Sequence, residues 1–491
     1  MEYDTPTMKA SSNAAGTNSD VASTRGHLRA GSKPADVPIL KEPVTFAFSG
    51  RTAKNRLLKA PMTERLCHWN KEGEDISARG VPSPEYLHLY RIWGEGDIGI
   101  IVSGNIMVRY DAVEAYGNPI IVDDHDGRIA KFREVTQAAK AHGSLVIAQL
   151  SHPGRQGGKY LNPNPISASD VHLTIKWAGN EFNKPRPMTI PEIKEMVRSW
   201  GESAYLCSKA GFDGVQGKTA KIWVALIFIF NRIIMQTVHC AHGYLLAQFL
   251  SPTTNRRTDE YGGDLNNRSR IVFEIIEEIH RRVSDPSFIV CVKLNSVEFQ
   301  DKGTTPENAR DLCVKLEEAR VDFVDLSGGT FEGRAFEHKK QSTIAREAYF
   351  IEFAEMIRPL LKKTKVYVTG GLRTAGGMVK AIECGACDGI GIGRPLAAEP
   401  YLVKELLNEK ITGAIDNFVP LPLNTQASGT QLHQIGKGDS LISDWSVESE
   451  VKRWIEAHEK ETERKMSILP KVDSSGYAPL KAESGFAYLQ S

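Results

Sequence analysis

One stretch of the chain reads His239-Cys240-Ala241-His242-Gly243-Tyr244-Leu245-Leu246-Ala247-Gln248-Phe249-Leu250-Ser251-Pro252, and it places two imidazoles and a phenol within six residues. Imidazole and phenol groups donate hydrogen bonds and exchange protons. If the segment is a turn that leaves a buried strand, all three side chains could face one pocket. Two ordinary histidines and a half-buried tyrosine would give the same pattern, because short matches of this kind arise by chance. The wider sequence decides between these interpretations.

Short apolar runs alternate with amphipathic stretches of helical length on both sides of this segment. Apolar and β-branched residues fill the runs, as is typical of strands that are buried on both faces of a sheet. One intervening stretch, Ile271–Val283, has apolar residues at helical spacing with charges opposite. Eight such runs predict the α/β class and an eight-stranded (β/α)8 TIM barrel, with a doubly wound sheet as the alternative. The predicted strands are Leu57–Ala60, Ile98–Ser103, Ser144–Leu150, Gly211–Gln216, Ile289–Asn295, Asp322–Ser327, Val366–Thr369 and Gly389–Ile392.

Four further segments accompany the opening stretch. They are Asn55–Thr63, Gln149–Gln156, Val292–Leu294 and Gly391–Pro395, and the opening stretch itself continues into Asn255–Gly263. Together, in this order, they resemble the old yellow enzyme family of FMN-dependent NADH:flavin oxidoreductases and ene-reductases. The resemblance covers about residues 41–410. It implies a barrel enzyme that binds FMN as cofactor and takes NAD(P)H as co-substrate.

The resemblance also implies which residues hold the cofactor at the carboxyl ends of the strands, where barrel enzymes place their sites. Gln149 offers a donor and an acceptor to the pyrimidine edge of a flavin. Lys293 supplies positive charge near flavin N1 and O2, where negative charge gathers on reduction. Glycines and a guanidinium suit the phosphate, although turn chemistry alone would also explain the glycines. The implied cofactor residues are Pro61, Met62, Thr63, Gly104, Gln149, Lys293, Gly370, Gly371, Gly393 and Arg394.

For the opening stretch, the family pattern implies three catalytic residues. His239 and His242 hold the carbonyl oxygen of an activated alkene, and Tyr244 protonates its α-carbon once hydride has reached the β-carbon. A phenol with an unperturbed pKa near ~10 is protonated at neutral pH and can act as the acid. No Gly-x-Gly-x-x-Gly follows a predicted strand, so NAD(P)H is expected to share the pocket with the alkene. The predicted activity is a ping-pong reduction of the C=C bond of α,β-unsaturated carbonyl compounds, which are small molecules.

One departure from the family pattern lies directly before the opening stretch. In the family, the segment matching Gly211–Gln216 runs straight into an apolar residue and the histidine, whereas here Gly217–Thr237 intervenes with the sequence GKTAKIWVALIFIFNRIIMQT. Its apolar core, Ile222–Phe230, is far shorter than the ~20 residues that a membrane span needs. Two interpretations stay open: a loop specific to this chain, or an intron retained in the gene model, since codons at both ends can supply splice sites. Because such an insert would disrupt the substrate-binding strand end, the alternative function is a non-catalytic or inactivated flavin-binding barrel.

The chain outside the barrel falls into two parts. Residues 1–38 are rich in Ser, Ala, Thr, Asn and Gly, and a segment of this composition is predicted to be a disordered N-terminal tail. Residues 39–413 form the predicted FMN-binding barrel. Residues 414–491 form a predicted C-terminal extension with one charged helix, over Val447–Lys465.

Charge and cysteine content bound the partners and the compartment. A net charge of +1 favours neither nucleic acid nor an anionic membrane surface as a partner. Seven cysteines, an odd number without framework spacing, predict a reducing compartment and hence a cytoplasmic location. Cys384 and Cys387 form the only close pair in the sequence, so no metal site is predicted. A homo-oligomer is compatible with the sequence, which does not determine the oligomeric state.

Overall fold

A closed barrel of parallel strands forms the centre of the molecule. The computed structural model describes residues 28–31, 37–69, 76–175, 181–215, 235–295, 303, 305–327, 351, 353–468 and 477–487. Within these ranges Ile390 in the last barrel strand pairs with Leu57 in the first, which closes the barrel and confirms the TIM-barrel prediction over the doubly wound sheet. The barrel segments are β1 (Leu57–Lys59), β2 (Ile100–Met107), β3 (Leu145–Ser151), β4 (Asp213–Val215), β5 (Met235–Cys240), β6 (Val290–Asn295), β7 (Phe323–Ser327), β8 (Lys365–Thr369) and β9 (Gly389–Ile392).

The strands read as apolar runs in the sequence because both of their faces are covered. Every residue of β2, β3, β6 and β7 is buried, with helices outside the barrel and side chains filling its interior. The second strand is longer than predicted. A register shift between Val102 and Asn105 lets it continue to Met107.

Helices connect the strands and surround the barrel. Five of them begin at a residue whose side chain accepts a hydrogen bond from the first turn, which satisfies a backbone N–H that the helix itself leaves unpaired. These cap residues are Ser83, Thr189, Asp264, Thr305 and Thr374. In the described part of the chain no helix is long and apolar enough to cross a bilayer. The α-helices are α1 (Pro38–Lys41), α2 (Pro84–Glu95), α3 (Arg128–Lys140), α4 (Ile190–Lys209), α5 (Leu245–Leu250), α6 (Leu265–Arg282), α7 (Pro306–Glu318), α8 (Ala375–Glu383), α9 (Pro395–Ala398), α10 (Leu402–Leu407), α11 (Asn424–Lys437) and α12 (Glu448–Ile468).

Shorter elements complete the fold. Three pairs of two-residue strands lie outside the barrel: Val44–Thr45 with Thr52–Ala53, Ile166–Ser167 with Arg186–Pro187, and Ile442–Ser443 with Gly485–Phe486. Single turns of 3-10 helix occur at Ile76–Ala78, Gly154–Gln156, Arg358–Leu360 and Leu421–Leu423.

Two segments, β4 and β5, together occupy the fourth strand position between β3 and β6, and they also pair with each other through Asp213 and Met235. Gly214 pairs with Ile147 of β3, and Val238 pairs with Leu150, so the two residues sit three positions apart on that neighbour. The opposite neighbour, β6, gives the same spacing of three. Val238 follows Gly214 by 24 positions in the sequence but by only 3 positions in the sheet. The difference of 21 residues equals the length of Gly217–Thr237. Residues 217–234 of that segment lie outside the described residues, and the last three belong to β5.

The N-terminal segment was predicted to be disordered up to residue 38, and part of it is described. Arg29 forms an isolated bridge with Ile415 and donates hydrogen bonds to Glu399 Oε1 at 2.5 Å and to the Gly413 carbonyl oxygen at 3.1 Å. Residues 28–31 are therefore held against the end of the barrel by an ion pair and backbone contacts. Residues 1–27 and 32–36 lie outside the described residues.

The C-terminal extension holds two helices, α11 and α12, where one was predicted. The segment of α11 reads as a loop because it contains Gly429, Gly436 and many polar side chains. Two of these, Gln431 and Gln434, are buried and donate hydrogen bonds to Ser443, so tertiary packing overrides a weak helix propensity. The predicted charged helix is present as α12. Residues 469–476 and 488–491 lie outside the described residues.

Candidate active site

Polar side chains from neighbouring strands meet at the carboxyl-terminal mouth of the barrel. Asn105 of β2 pairs with Gln149 of β3, and His239 of β5 pairs with Lys293 of β6, which pairs in turn with Asp325 of β7. Parallel strands end at the same rim, so this register gathers residues that are far apart in the sequence. For His239 the structure describes the backbone alone, and its side chain lies outside what is described.

Several buried polar atoms around this mouth have no hydrogen-bond partner among the described residues, and three of them lie on β2, β3 and β6. These three are Gln149 Nε2, Asn105 Oδ1 and Asn295 Nδ2, and their side chains belong to residues that are 1%, 5% and 4% exposed. Buried polar groups are normally hydrogen-bonded, so unpaired donors and acceptors grouped in one place indicate a polar ligand. The pyrimidine edge of a flavin presents both carbonyl acceptors and an N–H donor. The residues at the mouth therefore fit FMN.

Lys293 is held by two residues that the sequence prediction did not include. Its Nζ lies 2.6 Å from Asp325 Oδ2, and Thr369 donates its hydroxyl to Asp325 Oδ1 at 2.6 Å. Lys293 and Asp325 are 3% and 4% exposed, so the ion pair is shielded from water and holds the ammonium in place. Asp325 was visible in the sequence as the one charge inside the apolar run Phe323–Ser327, which is the signal that could have identified it.

Tyr244 lies at the other end of the mouth, at the start of α5. It is 5% exposed, and its hydroxyl oxygen accepts a hydrogen bond from Asn105 Nδ2 at 3.0 Å. Burial raises the pKa of the phenol well above its ordinary value, and the nearby Glu114 carboxylate, which accepts a hydrogen bond from the phenol, raises it further. Tyr244 is therefore protonated throughout the physiological range. Glu114 was not predicted, because nothing in the local sequence marks it.

His242 occupies the turn between the two ends of the mouth, with a positive φ of 56°. Its backbone N–H donates to Asn295 Oδ1 at 3.2 Å, and its Nε2 lies 3.2 Å from Ser327 Oγ. Burial, with a contribution from the charge of Lys293, lowers the pKa of the imidazole to about 3. The ring is consequently neutral at physiological pH, and it can act as a hydrogen-bond donor but not as a cation.

The predicted residues Pro61, Met62 and Thr63 follow β1 and are partly exposed at the mouth. The Thr63 hydroxyl donates to Glu114 Oε2 at 3.1 Å. Its carbonyl oxygen accepts a hydrogen bond from the Tyr477 hydroxyl at 2.7 Å. Tyr477, which is 7% exposed, thus brings the C-terminal extension to the edge of the site.

Gly104 was expected just past the end of the second strand, and it lies inside β2 instead. Its N–H donates to Glu64 Oε1 at 2.8 Å. A Cβ at this position would clash with Glu64 Oε2 and with the Met62 carbonyl oxygen. The close packing of the segment after β1 against β2 therefore requires a glycine here. This packing explains Gly104 without any contact with the cofactor.

The four residues predicted to bind the phosphate leave two adjacent strands. Thr369 pairs with Gly391, so Gly370-Gly371 and Gly393-Arg394 emerge side by side at the rim. Gly371 has a φ of 80°, which favours glycine. Among the described residues, a Cβ on Gly393 would meet only Ala60, at 3.9 Å. The rim offers accessible backbone next to an exposed guanidinium, an arrangement suited to a phosphate.

Comparison with known proteins gives consistent matches over the barrel. A family model described as the NADH:flavin oxidoreductase / NADH oxidase family matches residues 40–233 and 234–412. The NADH-dependent flavin oxidoreductase nadA of Aspergillus parasiticus is 43% identical over 419 residues, which cover 83% of this chain and 88% of that protein. The NADPH dehydrogenase of Bacillus subtilis is 29% identical over 381 residues, which cover 76% of this chain and 94% of that protein.

Among solved structures, the fold is similar to that of an old yellow enzyme homologue from Zymomonas mobilis. The TM-score is 0.60 at 22% sequence identity, and the alignment covers 77% of this chain and 94% of that chain. At this identity the likeness concerns the fold alone. It agrees with the closed barrel formed by β1 to β9.

Proposed function

The chain belongs to the NADH:flavin oxidoreductase / NADH oxidase family, and from that membership we propose that it reduces the activated C=C bond of α,β-unsaturated carbonyl compounds. It is an NAD(P)H-dependent oxidoreductase with FMN as its cofactor. In the proposed ping-pong reaction NAD(P)H and the alkene use the same pocket in turn. A small-molecule substrate is in keeping with the family.

The observation that carries this proposal is the position of Tyr244. A phenol held protonated by its surroundings stands at the same mouth as the unpaired Gln149 amide. Oxidation of NAD(P)H with electron transfer to oxygen needs no such acid on the protein. Reduction of a C=C bond does need one, because the α-carbon must receive a proton after the β-carbon has received hydride.

The remaining catalytic roles follow from charge and position. FMN, when bound, supplies the hydride and is reduced again by NAD(P)H. We assign the substrate carbonyl oxygen to His242 and His239. A neutral His242 polarises that oxygen by donating a hydrogen bond, and it adds no positive charge that would compete with Lys293. Tyr244 donates its proton to the α-carbon.

The proposed cofactor contacts use both ends of the mouth. Gln149 would hold the pyrimidine edge of FMN with its Nε2, which has no partner among the described residues. Lys293 would supply positive charge to the part of the ring that becomes negative on reduction, and Thr63 would bind the ring from the segment after β1. Contacts from the segment after β1 and from the phosphate rim complete the set, with Pro61, Met62, Gly104, Gly370, Gly371, Gly393 and Arg394.

The extent of the domain and its location are proposals of the same kind. A barrel over residues 39–413 is supported by the family match to residues 40–412. A reducing, cytoplasmic location is supported by seven cysteines that are all free. Self-association stays a prediction, which sedimentation of the purified protein would test.

The proposal is tested by anaerobic turnover of the FMN-loaded protein with NADH or NADPH. An α,β-unsaturated ketone should be converted to the saturated ketone, with one NAD(P)H consumed for each product molecule. The matched control is the saturated ketone, which should not accelerate NAD(P)H oxidation. If reduced protein is reoxidised by oxygen but leaves a panel of activated alkenes unchanged, the ene-reductase proposal is wrong, whereas the family assignment stands.

A further inference from the structure

We propose that Glu114 is a positioning residue for Tyr244, which orients the phenol through Asn105 and opposes its ionisation. This inference rests on the proposed function, in which Tyr244 is the proton donor. Glu114 lies in the loop after β2 and is 12% exposed at its side chain, whereas Tyr244 comes from the far side of the fourth strand position. The fold brings both groups to the same Asn105 amide.

Three side chains direct hydrogen-bond donors towards the Glu114 carboxylate. Asn105 Nδ2 donates to its Oε2 at 2.6 Å, and the Thr63 hydroxyl donates to the same oxygen at 3.1 Å. The Arg65 guanidinium lies 3.8 Å from its Oε1. These contacts hold the carboxylate among three side chains, and one of them, Asn105, also donates to the phenol. A carboxylate held in this way cannot swing out to solvent without breaking several hydrogen bonds.

The direction of the phenol O–H follows from these contacts. The Asn105 amide donates to the Tyr244 oxygen, so it occupies a lone pair and cannot accept the phenol hydrogen. A carboxylate only accepts hydrogen bonds, so Glu114, which shares the Asn105 amide with the phenol, offers the acceptor on this side of the ring. Because Asn105 donates to both groups, one amide couples the orientation of the phenol to that of the carboxylate.

The negative charge of Glu114 opposes ionisation of the Tyr244 phenol. A phenolate at position 244 would stand beside a carboxylate, and like charges at short range disfavour ionisation. Two charged groups face the phenol: Glu114 raises its pKa and Arg65 lowers it. Replacing the carboxylate by a neutral amide would remove the opposing charge and also the negative group that lies 3.8 Å from Arg65. Both changes favour the phenolate, so the pKa of Tyr244 must fall.

The test is a titration of Tyr244 in the FMN-loaded full chain, with fluorotyrosine incorporated at position 244 and read by fluorine NMR. We expect Glu114→Gln to lower that pKa by at least about one unit, the effect of one neighbouring charge. The alkaline limb of the alkene half-reaction should move to lower pH by the same amount. The rate of flavin reduction by NAD(P)H should not move.

Two further variants separate charge from shape. Glu114→Asp retains the charge and should keep most of the elevation of the pKa. Asp111→Asn is the matched control, because it removes a carboxylate from the same loop whose ion pair is with Arg109 and should leave the titration unchanged. An unchanged or raised pKa in Glu114→Gln, or an equal shift in Asp111→Asn, would overturn the proposal.

Failure of the proposed function gives a different result. If Tyr244 is not the acid, Tyr244→Phe leaves alkene reduction intact, while the titration still reports whether Glu114 controls the phenol. If Glu114→Gln does not fold, Arg65→Met supplies the reciprocal test. That change should raise the pKa of Tyr244, and a fall would contradict the proposed balance of charges.

Discussion

The two ends of the mouth are built on different supports. Lys293, Asp325 and Thr369 come from three consecutive, uninterrupted strands, whose register fixes the ion pair directly. The residues at the substrate end, His239 to Tyr244, follow a strand position that is shared by β4 and β5. The cofactor end, formed by these three residues, depends on this direct pairing, and Lys293 also pairs with His239 of β5. The substrate end depends on the register in which β5 rejoins the barrel after the 21 additional residues of Gly217–Thr237.

Register explains why the substrate end can still form. Both neighbours of the fourth position place Val238 three steps above Gly214, so the height of β5 is set by pairing and not by the length of chain before it. A slip of one residue would turn every side chain to the opposite face. The excess of 21 residues thus leaves the register of the catalytic segment unchanged. Substitutions at one end of the mouth should therefore leave the other end intact.

The largest effect is expected from deleting Gly217–Thr237. The shortened chain joins Gln216 to Val238 in the register that the neighbours already impose, so the barrel and its FMN should be retained. The deleted sequence is strongly apolar, and contact of apolar surface with water is unfavourable by ~25 cal/mol per Å². Deletion should therefore raise soluble yield and alkene reduction by roughly tenfold or more. Equal yields and rates, with the segment present in the mature transcript, would make it a genuine loop of this chain.

Tyr244→Phe should break the substrate end and spare the cofactor end. Loss of the acid should slow alkene reduction by roughly 10²-fold, the scale of general acid catalysis. Reduction of the bound flavin by NAD(P)H should stay near the parental rate, and stopped-flow absorbance measures both half-reactions. Tyr205→Phe, on α4, is the matched control. An equal loss in both half-reactions would mean that Tyr244 supports the fold and not the chemistry.

Asp325→Asn should act at the cofactor end alone. Removing the carboxylate that pairs with Lys293 at 2.6 Å leaves more net positive charge beside the cofactor, which favours the reduced and more negative form. The midpoint potential should rise by roughly 30 mV, a tenfold change for a two-electron couple. Redox titration with reference dyes measures it, and Asp311→Asn on the exposed face of α7 is the control. A lower potential would contradict the proposed position of Lys293.

The sequence revealed the strands better than the contacts between them. Parallel strands that are buried on both faces leave continuous apolar runs, so eight of the nine barrel segments could be predicted with small errors at their ends. The exception is β5 (Met235–Cys240), which follows the segment that departs from the family pattern and was not predicted. Motif residues such as Gln149 and Tyr244 were predicted through the family pattern. Glu114 could not be predicted, because its hydrogen bonds to Asn105 and Thr63 arise only when loops from two strands meet. Helix α11 was missed for a related reason, since its polar side chains find partners only in the folded extension.

The smallest effect is expected for His242→Ala, and it tests the boundary between the two ends. One lost hydrogen bond of about 1 kcal/mol should weaken the binding of phenolic or carbonyl ligands by roughly fivefold. The pKa of His242 is lowered to about 3, so the ring gains its proton only in strong acid. Its contribution to the stability of the folded state is complete above the unfolded pKa of about 6.5 and is lost as the pH falls towards about 3. Ligand affinity should therefore show no titration of this residue between about pH 5 and pH 8. Spectral titration of the FMN-loaded chain with a phenol across that range measures it. A change in ligand affinity near the ordinary histidine pKa, absent in His242→Ala, would show that the ring is charged when the ligand binds. The substrate end would then use a cation, as the cofactor end does.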